Sequence, residues 1–192
     1  GDEPAGREAH DVVVPGESVI RVDAVAGAPS RAHQGRAMRW DPRRSEFLWV
    51  DSGAGLAHRA RVVGITDLQP VCTYHLPGRP GSLTPVAGND GWLVTLGRGI
   101  GLLRPDGSTS ELATVAPVGA SLNEAACDRR GRLWVGAGAD DHVSPVGGLY
   151  RFERNGEIDL MVDSLVNPGG LGWSPDGRTL YLADSGLRHV LA

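Results

Sequence analysis

One structural unit recurs four times along this chain of 192 residues. In each copy, a turn rich in glycine, asparagine or aspartate precedes a short apolar segment, which is typical of a hairpin entering a buried strand. The central residues of these segments are spaced 44, 41 and 47 residues apart: Trp49, Leu93, Trp134 and Tyr181. Secondary turns within the units add further strands. A period of about 40–50 residues with about four short strands per unit predicts a β-propeller blade.

The composition supports a turn-rich β fold. The chain contains 28 glycines and 13 prolines, yet 41% of its residues are hydrophobic, which favours a folded core over disorder. Helical periodicity is nearly absent. A β-sandwich of unrelated hairpins would explain the strands but not their even spacing. We therefore predict an all-β, six-bladed type of propeller with about four blades visible in this chain.

The ends of the chain set the predicted domain limits. Residues 1–17 are polar and bracketed by glycine and proline, so we expect a flexible N-terminal segment, with propeller blades over 18–192. A propeller closes by pairing its first and last blades. Because the sequence ends partway through a strand pattern, we expect the ring to be incomplete here. A missing C-terminal segment or a second chain would then close it.

Charge and cysteine usage limit the classes of partner. The net charge is −4 and the pI is about 5.8, which argues against a nucleic-acid-binding face. No apolar run approaches the roughly 18 residues of a membrane span, and no signal peptide is visible. Cys72 and Cys127 could pair, but two buried free thiols fit better, and they favour a cytoplasmic protein. The expected partner is a small-molecule substrate.

Five segments, in order and spacing, resemble the gluconolactonase/regucalcin (senescence marker protein) family of six-bladed propellers. They are WDPRRSEFLWVDSG (40–53), GWLVTLGRGIGLLRPDGSTSELA (91–113), NEAACDRRGRLWVGAG (123–138), GGLYRFERNGEIDLMVDSL (147–165) and GLGWSPDGRTLYLADSG (170–186). The resemblance begins near Gly35 and corresponds to about the first two-thirds of a family member. It implies a lactonase-like hydrolase with a divalent metal, calcium or zinc, that polarises the lactone carbonyl.

The ligand positions of that implied metal are altered in this sequence. The glutamate ligand position falls on Arg36, and a guanidinium has no lone pair to donate to a cation. The asparagine of the P-N-G-L motif falls on Gly169, although a shift of register could use Asn167 instead. The third ligand, an aspartate, would lie after Ala192. We therefore predict no metal ligands among these residues and no cofactor.

Four polar residues are the candidates for the pocket at the channel mouth. Glu124 could act as general base or acid, and Arg36 could stabilise developing negative charge, while Asn123 and Ser121 would bind the substrate. In the alternative, Arg36 and Glu124 merely neutralise each other in a degenerate pocket. The acidic loop at 140–142 is expected to be solvated, and the glycine-rich segment 97–101 to be a blade turn.

The predicted function is a lactonase-like hydrolase, or a related ring-opening or ring-closing enzyme, with a reworked and metal-free pocket. Two alternatives remain open from the sequence. One is a non-catalytic propeller that binds a small molecule. The other is a metal-independent condensing enzyme resembling strictosidine synthase, for which no residue here gives specific support.

Overall fold

The computed structural model describes residues 9–12, 20–23, 32–64, 67–88 and 90–192. Within these ranges every regular element is a β-strand. A short antiparallel pair, β1 (Ala9–Val12) and β2 (Ile20–Asp23), precedes four larger sheets. The predicted boundary between residues 17 and 18 falls outside the described residues.

The four larger sheets are the blades, numbered here in chain order. Blade 1 contains β3 (Gly35–Asp41), β4 (Glu46–Asp51), β5 (Leu56–Val63) and β6 (Asp67–His75). Blade 2 contains β7 (Pro80–Pro85), β8 (Trp92–Leu96), β9 (Gly99–Leu103) and β10 (Thr109–Thr114). Blade 3 contains β11 (Ala120–Cys127), β12 (Leu133–Ala139), β13 (Gly147–Phe152) and β14 (Ile158–Leu165). Blade 4 contains β15 (Pro168–Trp173), β16 (Leu180–Asp184) and β17 (His189–Leu191).

Each blade is an antiparallel meander in which strands follow one another in sequence order. The residue used to align the repeats lies in the second strand of every blade, in β4, β8, β12 and β16. The structure therefore confirms the all-β, propeller-type architecture and the repeat on which its prediction rests. It also confirms that the segment 97–101 is a blade turn, since this segment contains the turn after β8 and the first residues of β9.

The turns follow from their sequences. In blade 4, the amide of Gly177 donates to the carbonyl of Ser174 at 2.8 Å, and Gly177 has a φ of +70°. Gly107 occupies the same position in the β9–β10 turn, with a φ of +87°. Glycine adopts this left-handed conformation without steric cost, which explains its recurrence after Pro-Asp.

The hydrophobic core lies between neighbouring blades. Three clusters of buried side chains each join one blade to the next, from blade 1 to blade 4. Trp92 is fully buried in the first cluster, and its indole Nε1 donates to Asp41 of blade 1 at 3.3 Å. Trp134 and Trp173 pack in the third cluster. Face-to-face packing of the blades thus positions their first strands beside one another.

The cysteine prediction is partly wrong. Both thiols are free, as predicted, but Cys72 is only half-buried and Cys127 is exposed. Cys127 ends β11, where the strand leaves the core for a turn, so burial is incomplete. In the described ranges we find no helix whose length and apolar character would let it cross a membrane.

Candidate functional site

Every first strand of the four blades carries an irregularity where it pairs with the second strand. At a β-bulge, residues lose their partners across the sheet and their side chains take a new direction. The register shifts lie between Arg36 and Arg39 in β3, Pro80 and Ser82 in β7, Leu122 and Ala125 in β11, and Pro168 and Gly170 in β15. The backbone therefore redirects side chains at a similar position in all four blades.

The bulged residues line a common cavity of about 260 Å³. Its lining comes from all four blades: Arg36, Ala37, Gly81, Asn123, Glu124, Asn167, Gly169 and Ser185. A second cavity of about 340 Å³ shares Arg36, Gly81 and Asn123 with the first and also contains Ser121. The structure thus brings three of the predicted site residues into one cavity and places Ser121 in the adjoining one.

Gly81 permits a close contact between blades 2 and 3. A Cβ atom at this position would lie 2.4 Å from the carbonyl oxygen of Asn123 and 2.5 Å from that of Leu122. The side chain of Thr95 donates to the same Asn123 carbonyl at 3.1 Å. The backbone of Asn123 is therefore held from the blade 2 side, and this fixes the start of the β11 bulge.

Glu124 forms an ion pair with Arg39, a residue that sequence reasoning missed. Nη2 of Arg39 lies 2.6 Å from Oε1 of Glu124 and also donates to the carbonyl of Ala125 at 3.2 Å. The prediction that Glu124 pairs with Arg36 was wrong, because its partner is Arg39. Arg39 is the first residue after the β3 bulge, so its direction depends on a backbone irregularity that the sequence pattern did not indicate.

Arg36 contacts Asn123 instead. Its Nη1 donates to Oδ1 of Asn123 at 3.4 Å, a long hydrogen bond at an exposed position. Nδ2 of Asn123 donates to Oδ1 of Asn167 and to the carbonyl of Pro168, both at 3.3 Å. Asn123 therefore connects the arginine of blade 1 to the start of blade 4.

Asn167 lies in the cavity, just before β15, beside Gly169. Its backbone amide donates to Oδ1 of Asp184 at 3.0 Å, and its Nδ2 donates to Oγ of Ser185 at 2.8 Å. The first interaction holds the backbone of Asn167 and the second orients its amide side chain on the cavity lining. The P-G-G-L segment pointed to this part of the chain through a register shift, but the motif position itself is Gly169.

Asp184 organises the chain around Asn167. This buried carboxylate accepts hydrogen bonds from the amides of Val166, Asn167, Gly186 and Leu187 at 2.8–3.0 Å. Burial alone would raise the pKa of Asp184, but the four amide donors outweigh it and lower that pKa below its ordinary value. Asp51 repeats the arrangement in blade 1, where amides lower its pKa against burial.

Ser121 forms a hydrogen bond with the acidic loop at 140–142. Its Oγ donates to Oδ1 of Asp140 at 2.6 Å. The neighbouring Asp141 accepts hydrogen bonds from the hydroxyl and the amide of Ser144 and from the amide of Val143, which lower the pKa of Asp141 to about 2. Among the described residues, no cluster of three or more histidine, cysteine or carboxylate side chains could hold a metal ion.

The cavity residues do not fit the divalent metal that the resemblance implies. Arg36 places a permanent positive charge on the lining, and Gly169 contributes no donor atom. Glu124 is the carboxylate of this lining, and Arg39 already neutralises it at 2.6 Å. A cation entering between these groups would meet an arginine where it needs an anionic oxygen.

Comparison with known proteins gives a consistent assignment. Residues 34–192 match the SMP-30/Gluconolactonase/LRE-like region. A 6-deoxy-6-sulfogluconolactonase from Pseudomonas putida is 30% identical over 159 residues, which cover 79% of this chain and 51% of that protein. An L-arabinolactonase from Azospirillum brasilense is 29% identical over 174 residues, covering 85% of this chain and 55% of that protein.

A solved structure of the calcium-binding protein regucalcin from Agrobacterium tumefaciens shares the fold. It superposes with a TM-score of 0.74 at 18% sequence identity, over 84% of this chain and 54% of that one. The chain spans about half the length of the curated relatives named above, compared with the two-thirds expected from the sequence. The matches confirm the predicted resemblance.

Proposed function

The chain belongs to the SMP-30/Gluconolactonase/LRE-like family, and we propose that it forms part of a lactonase-like hydrolase acting on a small cyclic ester. The relatives that bear lactonase names support this reaction class. Its small-molecule substrate would bind in the cavity where the first strands of the four blades meet. A cytoplasmic location, favoured by the two free cysteines, belongs to the same proposal.

One observation carries the proposal: Arg36, Asn123, Glu124 and Asn167 come from three blades and line a single cavity. These residues supply a carboxylate, a guanidinium and two amides to one lining. That set contains the groups needed for ester hydrolysis, namely a proton acceptor, a stabiliser of negative charge and hydrogen-bonding groups that orient the substrate.

In the proposed mechanism, Glu124 accepts a proton from a water molecule, whose oxygen attacks the lactone carbonyl carbon. Arg39 contacts Oε1 of Glu124, which leaves Oε2 as the atom that receives the proton. Arg36 stabilises the negative charge that develops on the carbonyl oxygen. The bond between that carbon and the ring oxygen then breaks. The ring oxygen takes the proton back from Glu124, and an open hydroxy acid is released.

The test is hydrolysis of a panel of sugar lactones by the protein carrying this chain, measured by pH-stat above the uncatalysed rate in the same buffer. Glu124→Gln keeps the shape of the side chain and removes its basicity, so we expect hydrolysis to fall by about 100-fold or more. Glu157→Gln, in an exposed turn of blade 3, is the matched control and should retain full activity. Undiminished hydrolysis by Glu124→Gln would exclude Glu124 as the base.

A second function, non-catalytic binding of a small molecule, is favoured by the Arg39–Glu124 ion pair. At 2.6 Å this pair neutralises the carboxylate on the cavity lining. A pocket that retains shape and hydrogen-bonding groups without a reactive carboxylate can still recognise a ligand. Binding of a lactone or its hydroxy acid without turnover would identify this second function.

A further inference from the structure

The charged side chains in and next to the cavity include two arginines and one glutamate. Arg36 and Glu124 are the two charged residues on the lining of the 260 Å³ cavity. Glu124 is neutralised by Arg39 from the adjacent position in blade 1. Within the described residues, no carboxylate pairs with Arg36, whose polar contact is the neutral Oδ1 of Asn123. Among the residues that the structure describes, the positive charge of Arg36 on this lining therefore has no paired carboxylate.

The guanidinium of Arg36 has capacity for a further ligand. It carries five N–H donors, and one of them makes a 3.4 Å hydrogen bond to Asn123. Arginine presents its donors as a planar fork that matches a carboxylate with two parallel hydrogen bonds. Asn123 and Asn167 lie on the same lining with amide groups suited to hydroxyl groups.

Space for such a ligand lies next to Arg36. A Cβ atom built on Gly169 would meet no other atom within 4 Å, so this part of the lining is open. The adjoining cavity of about 340 Å³ also includes Arg36. The cavity of about 260 Å³ alone is slightly smaller than the roughly 300–1,000 Å³ of small-molecule sites, and the adjoining cavity extends the space around Arg36. The open position at Gly169 and the guanidinium of Arg36 therefore belong to the same cavity lining.

We propose that Arg36 makes this cavity a binding site for a small polyhydroxy carboxylate, the chemical class that hydrolysis of a sugar lactone produces. The guanidinium holds the carboxylate by a two-point hydrogen bond, while Asn123 and Asn167 contact the hydroxyl groups. The identity of the acid as a product rests on the proposed function; its binding through Arg36 does not. The arginine thus provides the positive charge of the pocket.

The experiment measures binding of D-gluconate by titration calorimetry to the wild type, Arg36→Gln, Arg36→Lys and the control Arg104→Gln. Arg104 lies in the exposed β9–β10 turn, so its removal changes the net charge equally without altering the cavity. D-Glucitol, which has the same chain of hydroxyl groups without the carboxylate, is the neutral probe. Circular dichroism checks that each variant is folded.

We expect Arg36→Gln to weaken gluconate binding by about 10- to 100-fold, the usual effect of losing a hydrogen bond to a charged group. Arg36→Lys should bind with intermediate affinity because it keeps the charge and loses the fork. Arg104→Gln should bind as the wild type does, and glucitol should bind weakly to every variant.

Three outcomes would overturn the inference: no gluconate binding by the wild type, equal binding by Arg36→Gln, or equal affinity for glucitol and gluconate. The lactone assay separates this inference from the proposed function. If lactones are not hydrolysed but gluconate binds through Arg36, the hydrolase proposal fails and the binding site stands. If lactones are hydrolysed while Arg36→Gln binds gluconate normally, only the binding site fails.

Discussion

Nη2 of Arg39 lies 2.6 Å from Oε1 of Glu124, and this contact joins blade 1 to blade 3 across blade 2. Both residues are at β-bulges of first strands. Because Arg39 also donates to the carbonyl of Ala125, it contacts Glu124 and the backbone that follows it. We therefore expect Arg39 to position the proposed base.

Replacing Arg39 should impair turnover more than substrate binding. In Arg39→Gln, Glu124 loses the group that orients it, and we expect kcat to fall about 10- to 100-fold with little change in KM. Arg39→Lys should recover part of kcat because it restores the charge. Steady-state kinetics on the most rapidly hydrolysed lactone measures both parameters.

The stability of Arg39→Gln should change little, since both side chains of the pair are more than a quarter exposed and such pairs contribute about 0–1 kcal/mol. Asp159→Asn, which breaks a partly exposed ion pair with Arg151 outside the cavity, is the matched control for activity and thermal stability. An Arg39→Gln variant with unchanged kcat would contradict the positioning role.

An added methyl group should change the stability of the protein differently at two glycines of the cavity. In Gly81→Ala, the Cβ would lie 2.4 Å from a backbone oxygen of Asn123, so β7 must move away from β11. We expect a loss of about 1–3 kcal/mol in the free energy of unfolding. Gly169→Ala, where the Cβ meets nothing within 4 Å, should lie within about 0.5 kcal/mol of the wild type. Urea denaturation of both variants tests the contrast, and equal stabilities would contradict it.

The sequence repeat predicted the blades because every blade contains the same local pattern of turn and strand residues. A turn with glycine at its fourth position, as at Gly177, and an apolar second strand are visible in any single unit. The buried faces follow from this pattern, since packing between blades requires only apolar residues at matching positions. Secondary structure, order and family could therefore be obtained from the sequence.

The contacts within the cavity could not be obtained in the same way. Arg36 and Arg39 are both basic residues on one strand, and only the bulge between them determines which one reaches Glu124. The hydrogen bond between Asn123 and Asn167 likewise depends on a separation of 44 residues and on the packing of two blades. Bulges carry no clear residue signature, so the sequence suggests candidate residues for the cavity but not which of their side chains contact one another.

Removing the buried carboxylate of Asp184 should destabilise the protein in a pH-dependent way. Four backbone amides lower the pKa of Asp184, so the ionised form stabilises the folded state at pH values above its unfolded pKa of about 3.9. That contribution is lost as the pH falls through the lowered pKa of the folded state. At pH 7 we expect Asp184→Asn to lose about 1.5–3 kcal/mol, and the difference from wild type to shrink in acid.

Denaturant titrations at about pH 7, pH 4.5 and pH 3 measure this difference. Asp163→Asn, at an exposed position of β14, is the control and should match the wild type throughout. A constant difference between Asp184→Asn and wild type from neutral to acid pH would show that the carboxylate charge is not responsible. Loss of gluconate binding should accompany the destabilisation, because Asp184 also holds the backbone of Asn167.

The positive charge of Arg36 predicts that the activity of the protein does not depend on a metal ion. Treatment of the wild type with a chelator should leave its activity unchanged, because Arg36 places a positive charge on this lining and Arg39 already pairs with Glu124, the carboxylate of the lining. The double variant Arg36→Glu with Gly169→Asn replaces the repelling charge by a carboxylate and adds an amide oxygen where the lining is open. We expect it to bind calcium with a Kd of about 10⁻⁴–10⁻³ M by calorimetry. Arg104→Glu, which makes the same change in net charge outside the cavity, controls for non-specific attraction. Equally tight calcium binding by the wild type would show that the protein retains a metal site despite Arg36.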